Sequence, residues 1–187
     1  FFQKGKTEAA KEEFRTAIKL QPNNGVAHLN LGSIFAATSS FKLAEKNLLA
    51  AIKHQPKDKR ALMMLAGVYR RLNRTAEAVP LWRRVLAEDP GNEQALLGYS
   101  TALMRLGKYR DALQWLREAH RVVPTNQVVI HLLSRLLSAC PDEKLRDGKS
   151  SLTIANKASQ QQAVMFAETK AMALAELGRF AAAVKWQ

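Results

Sequence analysis

Residues 25–58 decide the fold, and they read GVAHLNLGSIFAATSSFKLAEKNLLAAIKHQPKD. The stretch closes with a short polar connector that contains a proline, QPKD at 55–58, and a similar connector, QPNN at 21–24, precedes it. DPGN at 89–92 and VPTN at 123–126 follow, so the four prolines recur every 34 residues. A proline one or two residues past a helix stops it, because its ring cannot continue the hydrogen-bond ladder. The spacing therefore predicts a structural repeat with a helix stop at the end of each unit.

Each unit splits into two helical segments, because a break falls near its middle at 38–40, 72–74 and 106–108. Second segments such as 42–53 alternate charged and apolar residues in the manner of an amphipathic helix. First segments such as 61–69, ALMMLAGVY, are apolar on nearly all sides. A helix that is apolar on all sides must be covered on all sides. The pattern predicts an inner layer of first helices and an outer layer of second helices that faces water.

Small and large side chains recur with the same period in the second helices. The small residues are Ala10, Ala44, Ala78 and Ala112, followed seven residues on by Ala17, Ala51, Val85 and Ala119. The large residues between them are Phe14, Leu48, Trp82 and Leu116. A small side chain lets two helix backbones approach closely, and burying each large one contributes about 1.5–3 kcal/mol. We expect all of these residues in the core.

The pattern resembles the tetratricopeptide repeat (TPR) family, whose motif places glycines, an aromatic residue, alanines, a large residue and a proline at fixed positions. The matching residues are Leu31, Gly32, Phe35, Ala44, Leu48, Ala51 and Pro56 in one full repeat, then Tyr69, Ala78, Trp82 and Pro90, then Gly107, Ala112, Ala119 and Pro124. The resemblance covers nearly the whole chain. It implies an all-α fold, a right-handed superhelical solenoid of antiparallel helix hairpins.

The repeat register implies one solenoid over residues 1–187, cut within a repeat at each end, and we expect a fragment of a longer array. Its parts are a partial repeat at 1–24, full repeats at 25–58, 59–92 and 93–126, an irregular repeat at 127–163, and a partial repeat at 164–187. The irregular repeat carries an inserted loop at 140–148. The helix after the loop is expected to run from Asp147 or Gly148 to Ala158, with Ser151, Ala155 and Ala158 in the small-residue places. The CPD…LRDG segment also resembles the penultimate repeat of some bacterial TPR proteins, which indicates a bacterial source.

No catalytic motif stands in the sequence. It contains no Gly-rich phosphate loop, no HExxH and no GxSxG. The four histidines lie on different segments without metal-ligand spacing, and Cys140 is the one cysteine. We therefore expect no enzyme, no catalytic residue, no metal and no cofactor. No apolar run is long enough for a membrane span, and the compartment stays open.

The net charge of +13, from 29 Lys and Arg against 16 Asp and Glu, favours acidic partners. In TPR proteins that this chain resembles, the first helices line a concave groove. Their groove positions correspond here to Asn30, Arg60, Met63, Met64, Arg70, Arg71, Leu97, Thr101, Met104, Arg105, His131 and Arg135. Methionines adapt to varied apolar shapes, and arginine offers a planar fork to carboxylates. We predict a protein-interaction scaffold that binds an acidic or amphipathic peptide segment in this groove.

Three other interpretations stay open from the sequence. The chain is an accessory domain of a larger enzyme or maturation factor, it binds nucleic acid through its basic surface, or it self-associates through its cut repeats. Nucleic acid is the less favoured partner, because RNA-reading repeats need regular polar pairs and stacking aromatics that these first helices lack. A second interpretation of Met63, Met64 and Leu97 is that they are packed core.

Overall fold

The structure is a computed structural model that describes residues 2–156 and 163–186. Its α-helices are α1 (Phe2–Leu20), α2 (Gly25–Ala37), α3 (Phe41–His54), α4 (Lys59–Arg71), α5 (Thr75–Glu88), α6 (Glu93–Arg105), α7 (Tyr109–Val122), α8 (Gln127–Ala139), α9 (Gly148–Ala155), α10 (Ala163–Glu176) and α11 (Phe180–Val184). A short 3-10 helix, Glu143–Leu145, precedes α9. Every regular element of the described residues is helical, which confirms the predicted all-α class.

The first helix of each full repeat, and that of the irregular repeat, begins at a capping side chain that recurs with the 34-residue period. The caps of α2, α4, α6 and α8 are Asn24, Asp58, Asn92 and Asn126, each the last residue of a proline connector. The side-chain oxygen of Asn24, for example, accepts the backbone N–H of Ala27 at 2.9 Å. Such a cap contributes about 1 kcal/mol. Each connector therefore ends one helix with its proline and starts the next with its final residue.

The turn inside each regular hairpin depends on one residue with a positive φ. These residues are Ser39, Asn73, Gly107 and Gly178, with φ of 59°, 59°, 70° and 71°. Glycine adopts this left-handed conformation freely, whereas a residue with a Cβ pays roughly 1–2 kcal/mol. A single left-handed residue reverses the chain within three residues, so that α2 and α3 pack as a hairpin.

The chain divides into two compact units, residues 1–85 and 86–187. In the first unit, α2 packs against α1, α3 and α4. The predicted core residues Ala44 and Leu48 are 0% exposed and Ala51 is 1% exposed, which confirms them. A Cβ placed on Gly32 would lie 2.8 Å from Cγ of Leu48, so this position requires glycine in the present packing.

In the second unit, α8 packs against α6, α7, α9 and α10. Ala112 and Leu116 are 0% exposed, as predicted. The irregular repeat has an eight-residue α9 in place of a second helix of ordinary length. Its small residues Ser151 and Ala155 are also 0% exposed, while the third expected small residue, Ala158, lies outside the described residues.

First and second helices differ in burial as the sequence predicts. The first helix α2 buries six of its 13 residues, and α8 buries eight of 13. The second helices α3 and α7 each bury four of 14. The more apolar first helices therefore supply most of the core within each unit. In the part of the chain that the structure describes, no helix combines the length and apolarity needed to cross a bilayer.

Candidate functional site

The predicted partner-binding residues fall into two sets, one in each unit. The first set, on α2 and α4, is Asn30, Arg60, Met63, Met64, Arg70 and Arg71. The second set, on α6 and α8, is Leu97, Thr101, Met104, Arg105, His131 and Arg135. The two helices that carry each set pack against each other. Each set therefore lies on neighbouring first helices of its own unit.

The arginines of the first set differ in their surroundings. Arg60, at the start of α4, donates from Nε and Nη2 to the Asp58 carboxylate at 3.4 and 3.2 Å. Burial raises the pKa of Asp58, but hydrogen bonds from Arg60 and from the N–H of Ala61 outweigh it and leave the pKa below its usual value. Arg70 and Arg71 are exposed in the last turn of α4, and no described residue forms an ion pair with them. Their charges are free to meet a partner.

The apolar members of the two sets lie at the surface of their helices. Met63 and Met64 are half-buried, and Leu97 is 52% exposed. The packed-core interpretation is therefore wrong for Leu97 and describes only part of each methionine. Asn30, Thr101 and Met104 are half-buried as well. Both sets thus present apolar surface beside exposed guanidinium groups.

The arginines of the second set resemble Arg70 and Arg71 in their surroundings. Arg105, in the last turn of α6, and Arg135, on α8, are exposed, and neither pairs with a carboxylate of the described residues. A guanidinium binds a carboxylate through two parallel hydrogen bonds. The arrangement can therefore hold acidic side chains, and the described residues contain no group of three His, Cys, Asp or Glu able to hold a metal ion.

His131 of the second set lies on α8, beside α10. Its ring packs edge-on against Phe166 of α10, with 5.5 Å between the ring centroids. Burial lowers the pKa of His131, Arg135 lowers it further, and Glu168 opposes the shift. The lowered pKa favours the neutral imidazole near pH 7, and its buried Nδ1 has no hydrogen-bond partner among the described residues.

Sequence reasoning missed Arg74, which joins two repeats within the first unit. Its guanidinium donates to Glu77 at 2.6 Å and to Glu45 at 2.8 Å, and it lies 4.5 Å from the centroid of the Tyr69 ring. The hydrogen bond from Arg74 lowers the pKa of Glu77. Because its guanidinium donates to two carboxylates of the chain, Arg74 contributes to packing rather than binding. Glu77, three residues on, is visible in the sequence as a helix neighbour, whereas the contact with Glu45 depends on the fold.

Three family models match the chain. One described as Tetratricopeptide repeat matches residues 69–136, another with that description matches residues 37–93, and one described as TPR repeat matches residues 1–39. The comparison with curated proteins gave no match. The matched segments follow one another along the chain and include the three full repeats of the sequence pattern.

Solved structures of TPR proteins have the same fold. YrrB, described as a TPR protein with an unusual peptide-binding site, aligns at 16% identity with a TM-score of 0.70, over 94% of this chain and 89% of its own. A tetratricopeptide repeat protein from Parabacteroides merdae aligns at 21% identity with a TM-score of 0.71, over 100% and 73%. MamA aligns at 14% identity with a TM-score of 0.68, over 87% of each chain. At these identities the likeness shows the fold alone. The family models, which together span residues 1–136, show that the chain belongs to the tetratricopeptide repeat family.

Proposed function

We propose that this chain is a protein-interaction scaffold that binds an acidic or amphipathic segment of another protein against its first helices, without catalysing a reaction. The observation that carries the proposal is a set of exposed arginines on first helices that pair with no described carboxylate. They are Arg70, Arg71, Arg105 and Arg135. A partner that brings carboxylates to these positions forms charge-assisted hydrogen bonds that the isolated chain lacks.

Apolar side chains beside the arginines favour an amphipathic partner over a purely acidic one. Met63 and Met64 precede Arg70 on α4 by about two helical turns, and Leu97 precedes Arg105 on α6 at a similar distance. Burying the exposed part of a leucine contributes about 25 cal/mol per Å². Because a helix rises 1.5 Å per residue, the apolar residues lie roughly 10 Å from the arginines along each helix. A partner segment with an apolar residue roughly 10 Å from an acidic one therefore fits the predicted residues of α4 or those of α6.

The charge and the family both support a protein partner. A net charge of +13 steers acidic molecules toward the surface and raises their rate of association. The description of YrrB names a peptide-binding site, and that site in a protein of the same fold supports the class of partner proposed here. Nucleic acid is the weaker candidate, because the twelve predicted residues include no Phe, Tyr or Trp on which a base could stack.

The test uses a fluorescent peptide of alternating glutamate and leucine, about ten residues long, which spans about 33 Å when extended. Its affinity is measured by anisotropy for the wild type and for Arg70→Ala plus Arg105→Ala. We expect about a tenfold loss, since one hydrogen bond to a charged group is worth about 1.5–3 kcal/mol and tenfold corresponds to about 1.4 kcal/mol.

Lys42→Ala plus Lys53→Ala is the matched control, because it removes the same charge from exposed positions of α3, a second helix. The control should keep wild-type affinity. Equal losses in both variants would mean that only net charge matters and would end the assignment to first helices. A single-stranded oligonucleotide that binds more tightly than the peptide at the same salt would instead favour nucleic acid.

A further inference from the structure

An open cleft of about 650 Å³ lies against the exposed side of α7, in the second unit. One wall consists of the α7 side chains Arg110, Leu113, Gln114, Arg117, Glu118 and Arg121. The other wall is Leu145, the last residue of the 3-10 helix in the irregular repeat. The cleft therefore brings a regular second helix together with the irregular segment 140–147, and it contains none of the predicted first-helix residues.

The arginines of the cleft form a row along α7. Arg110, Arg117 and Arg121 lie seven and four residues apart, spacings that place them on one side of a helix, about 10 Å and about 6 Å apart along its axis. Arg121 donates to Glu118 at 2.8 Å, whereas no described residue forms an ion pair with Arg110 or Arg117. Three arginines against one glutamate leave the lining with a net charge of +2.

This row is particular to α7 among the second helices of the full repeats. The equivalent positions in α3 are Lys42, Leu49 and Lys53, and those in α5 are Ala76, Arg83 and Ala87. Only α7 has an arginine at each of the three positions, and α7 is also the second helix whose exposed side meets Leu145. The row and the inserted segment thus occur at the same place in the array.

The wall formed by the inserted segment is held in place by hydrogen bonds. The backbone N–H of Asp147 donates to the carbonyl of Leu137 at 2.7 Å, and its carboxylate accepts the N–H of Ser150 at 2.9 Å. Hydrogen bonds from Ser150 hold the pKa of Asp147 below its usual range, and the nearby charge of Arg117 lowers it further. Arg117 and Leu145 line the same cleft, and the hydrogen bonds of Asp147 fix the segment that carries Leu145.

We propose that this cleft binds an extended acidic strand of a partner protein, separately from the first helices. The arginine row spans about 16 Å along the helix, the length of about five residues of extended chain. Acidic side chains about three residues apart on such a strand reach Arg110 and Arg117, which form no ion pair with a described residue, and an apolar residue of the strand packs on the half-buried Leu145.

A peptide fits the cleft better than a nucleic acid does. Because Glu118 pairs with Arg121, the arginines of the lining without a described ion pair are Arg110 and Arg117, about 10 Å apart along α7. A peptide can place one carboxylate at each of them and a neutral residue between, whereas a phosphate chain carries a charge at every unit. The lining also contains no Phe, Tyr or Trp on which a base could stack. Both features select against a continuous polyanion.

The test measures the same glutamate–leucine peptide by anisotropy with Arg70→Ala plus Arg105→Ala as the background, so that binding to the first helices is already weakened. Adding Arg110→Ala and Arg117→Ala should lower the remaining affinity about tenfold. Lys42→Ala plus Lys53→Ala in the same background should leave it unchanged, since it removes the same charge from α3, at the positions equivalent to Arg110 and Arg121 in a repeat without the insertion. Leu145→Asp keeps every arginine and should also weaken binding, because it places a carboxylate in the opposite wall.

A peptide with a nitroxide label adds a reading of position. It should broaden the amide signals of Gln114 and Leu145 and leave that of Lys46, on α3, unaffected. Unchanged affinity in the arginine variant, or broadening confined to other helices, would overturn the proposal even where binding to the first helices holds. An oligonucleotide that displaces the peptide from Gln114 and Leu145 would overturn the identity of the occupant.

Discussion

The α2–α3 hairpin and the α8–α9 hairpin bring two helices together at equivalent places by different means. In the regular hairpin, Gly32 lies against Leu48, whose side chain fills the space that a Cβ would need. In the irregular hairpin, Ser134 occupies the place of Gly32, and the hydroxyl of Ser151 donates to the Ser134 carbonyl at 2.6 Å. At this contact the regular hairpin packs by shape, and its side-chain hydrogen bond lies elsewhere, between His28 and Asn47 at 3.2 Å, whereas the irregular hairpin makes the contact with a buried hydrogen bond.

The difference shows what the inserted segment changes. Without a full second helix, the irregular repeat has no large residue equivalent to Leu48, and α9 spans only eight residues. The close contact there moves to the start of α9, where a Cβ on Gly148 would lie 2.8 Å from the carbonyl oxygen of Ala173 in α10. The close contact of α9 with α10 therefore involves a backbone atom. A side-chain rearrangement cannot make room there for a Cβ at position 148.

The largest effect we expect comes from removing the large residue of the regular hairpin. Leu48→Ala should lower the free energy of unfolding by about 2–5 kcal/mol, because Leu48 is 0% exposed and its loss leaves a cavity beside Gly32. Urea unfolding followed by circular dichroism measures it. Leu49→Ala, at a 46% exposed position of the same helix, is the control and should cost far less. Comparable costs for the two variants would contradict the packing described for this hairpin.

Replacing the close-contact glycine should destabilise both hairpins. Shortening the neighbouring leucine should then restore stability in the regular hairpin but not in the irregular one. Gly32→Ala and Gly148→Ala should each cost about 1–3 kcal/mol, the usual range for overpacking. Combining Gly32→Ala with Leu48→Ala should cost less than the sum of the two, because the added methyl enters the space that leucine leaves. Combining Gly148→Ala with Leu177→Ala should recover little, since the Ala173 carbonyl still blocks the methyl. Full rescue at Gly148 would show that the contact with α10 is adjustable.

The fold was predictable because several independent features of the sequence recur with the same 34-residue period. Four prolines, a series of alanines and a series of large residues each give the same period, so one altered position, such as Ser100 at a glycine place, does not hide it. The family and the all-α class follow from that redundancy.

The candidate sites were less predictable because they depend on contacts between elements. The pairing of Arg74 with Glu45 joins residues 29 positions apart, and the cleft at α7 exists only where the inserted segment folds back toward it. The arginine row itself is visible in the sequence, but among many basic residues it looks like an ordinary solvated face. The row differs from an ordinary solvated face because Leu145 forms a wall opposite it. Leu145 lies in the inserted segment, outside the 34-residue period, so the sequence pattern does not predict its position.

A smaller effect should follow from removing the buried hydroxyl of the irregular hairpin. Ser151→Ala deletes the hydrogen bond to the Ser134 carbonyl and should cost about 0.5–1.5 kcal/mol. The loss is limited because the hydroxyl of Ser138 also donates to that carbonyl, at 3.0 Å. Thr153→Ala, on an exposed position of α9, removes only a local hydrogen bond to Lys149 and should change stability by less than about 0.5 kcal/mol. If the two variants unfold at the same urea concentration, the buried bond contributes nothing.

The smallest effect we expect is a pH dependence of the free energy of unfolding, which arises from His131 in the irregular hairpin and not from the regular hairpin. The folded pKa of His131, on α8, lies below the usual value of 6.5, so in mild acid the unfolded chain takes up a proton that the folded chain does not. The free energy of unfolding should therefore fall as the pH drops from about 7.5 to about 5.5, a range in which carboxylates remain ionised. His131→Gln should reduce this dependence, and so should Arg135→Ala, which removes a charge that disfavours the imidazolium.

His54→Gln is the control for the first unit, because His54 is exposed at the end of α3. Urea unfolding at both pH values, with the ring signals of His131 followed by NMR, gives the stability and the titration together. A pH dependence that survives His131→Gln unchanged would assign it to another group, and a titration of His131 above its usual pKa would contradict the effect of burial on its imidazole.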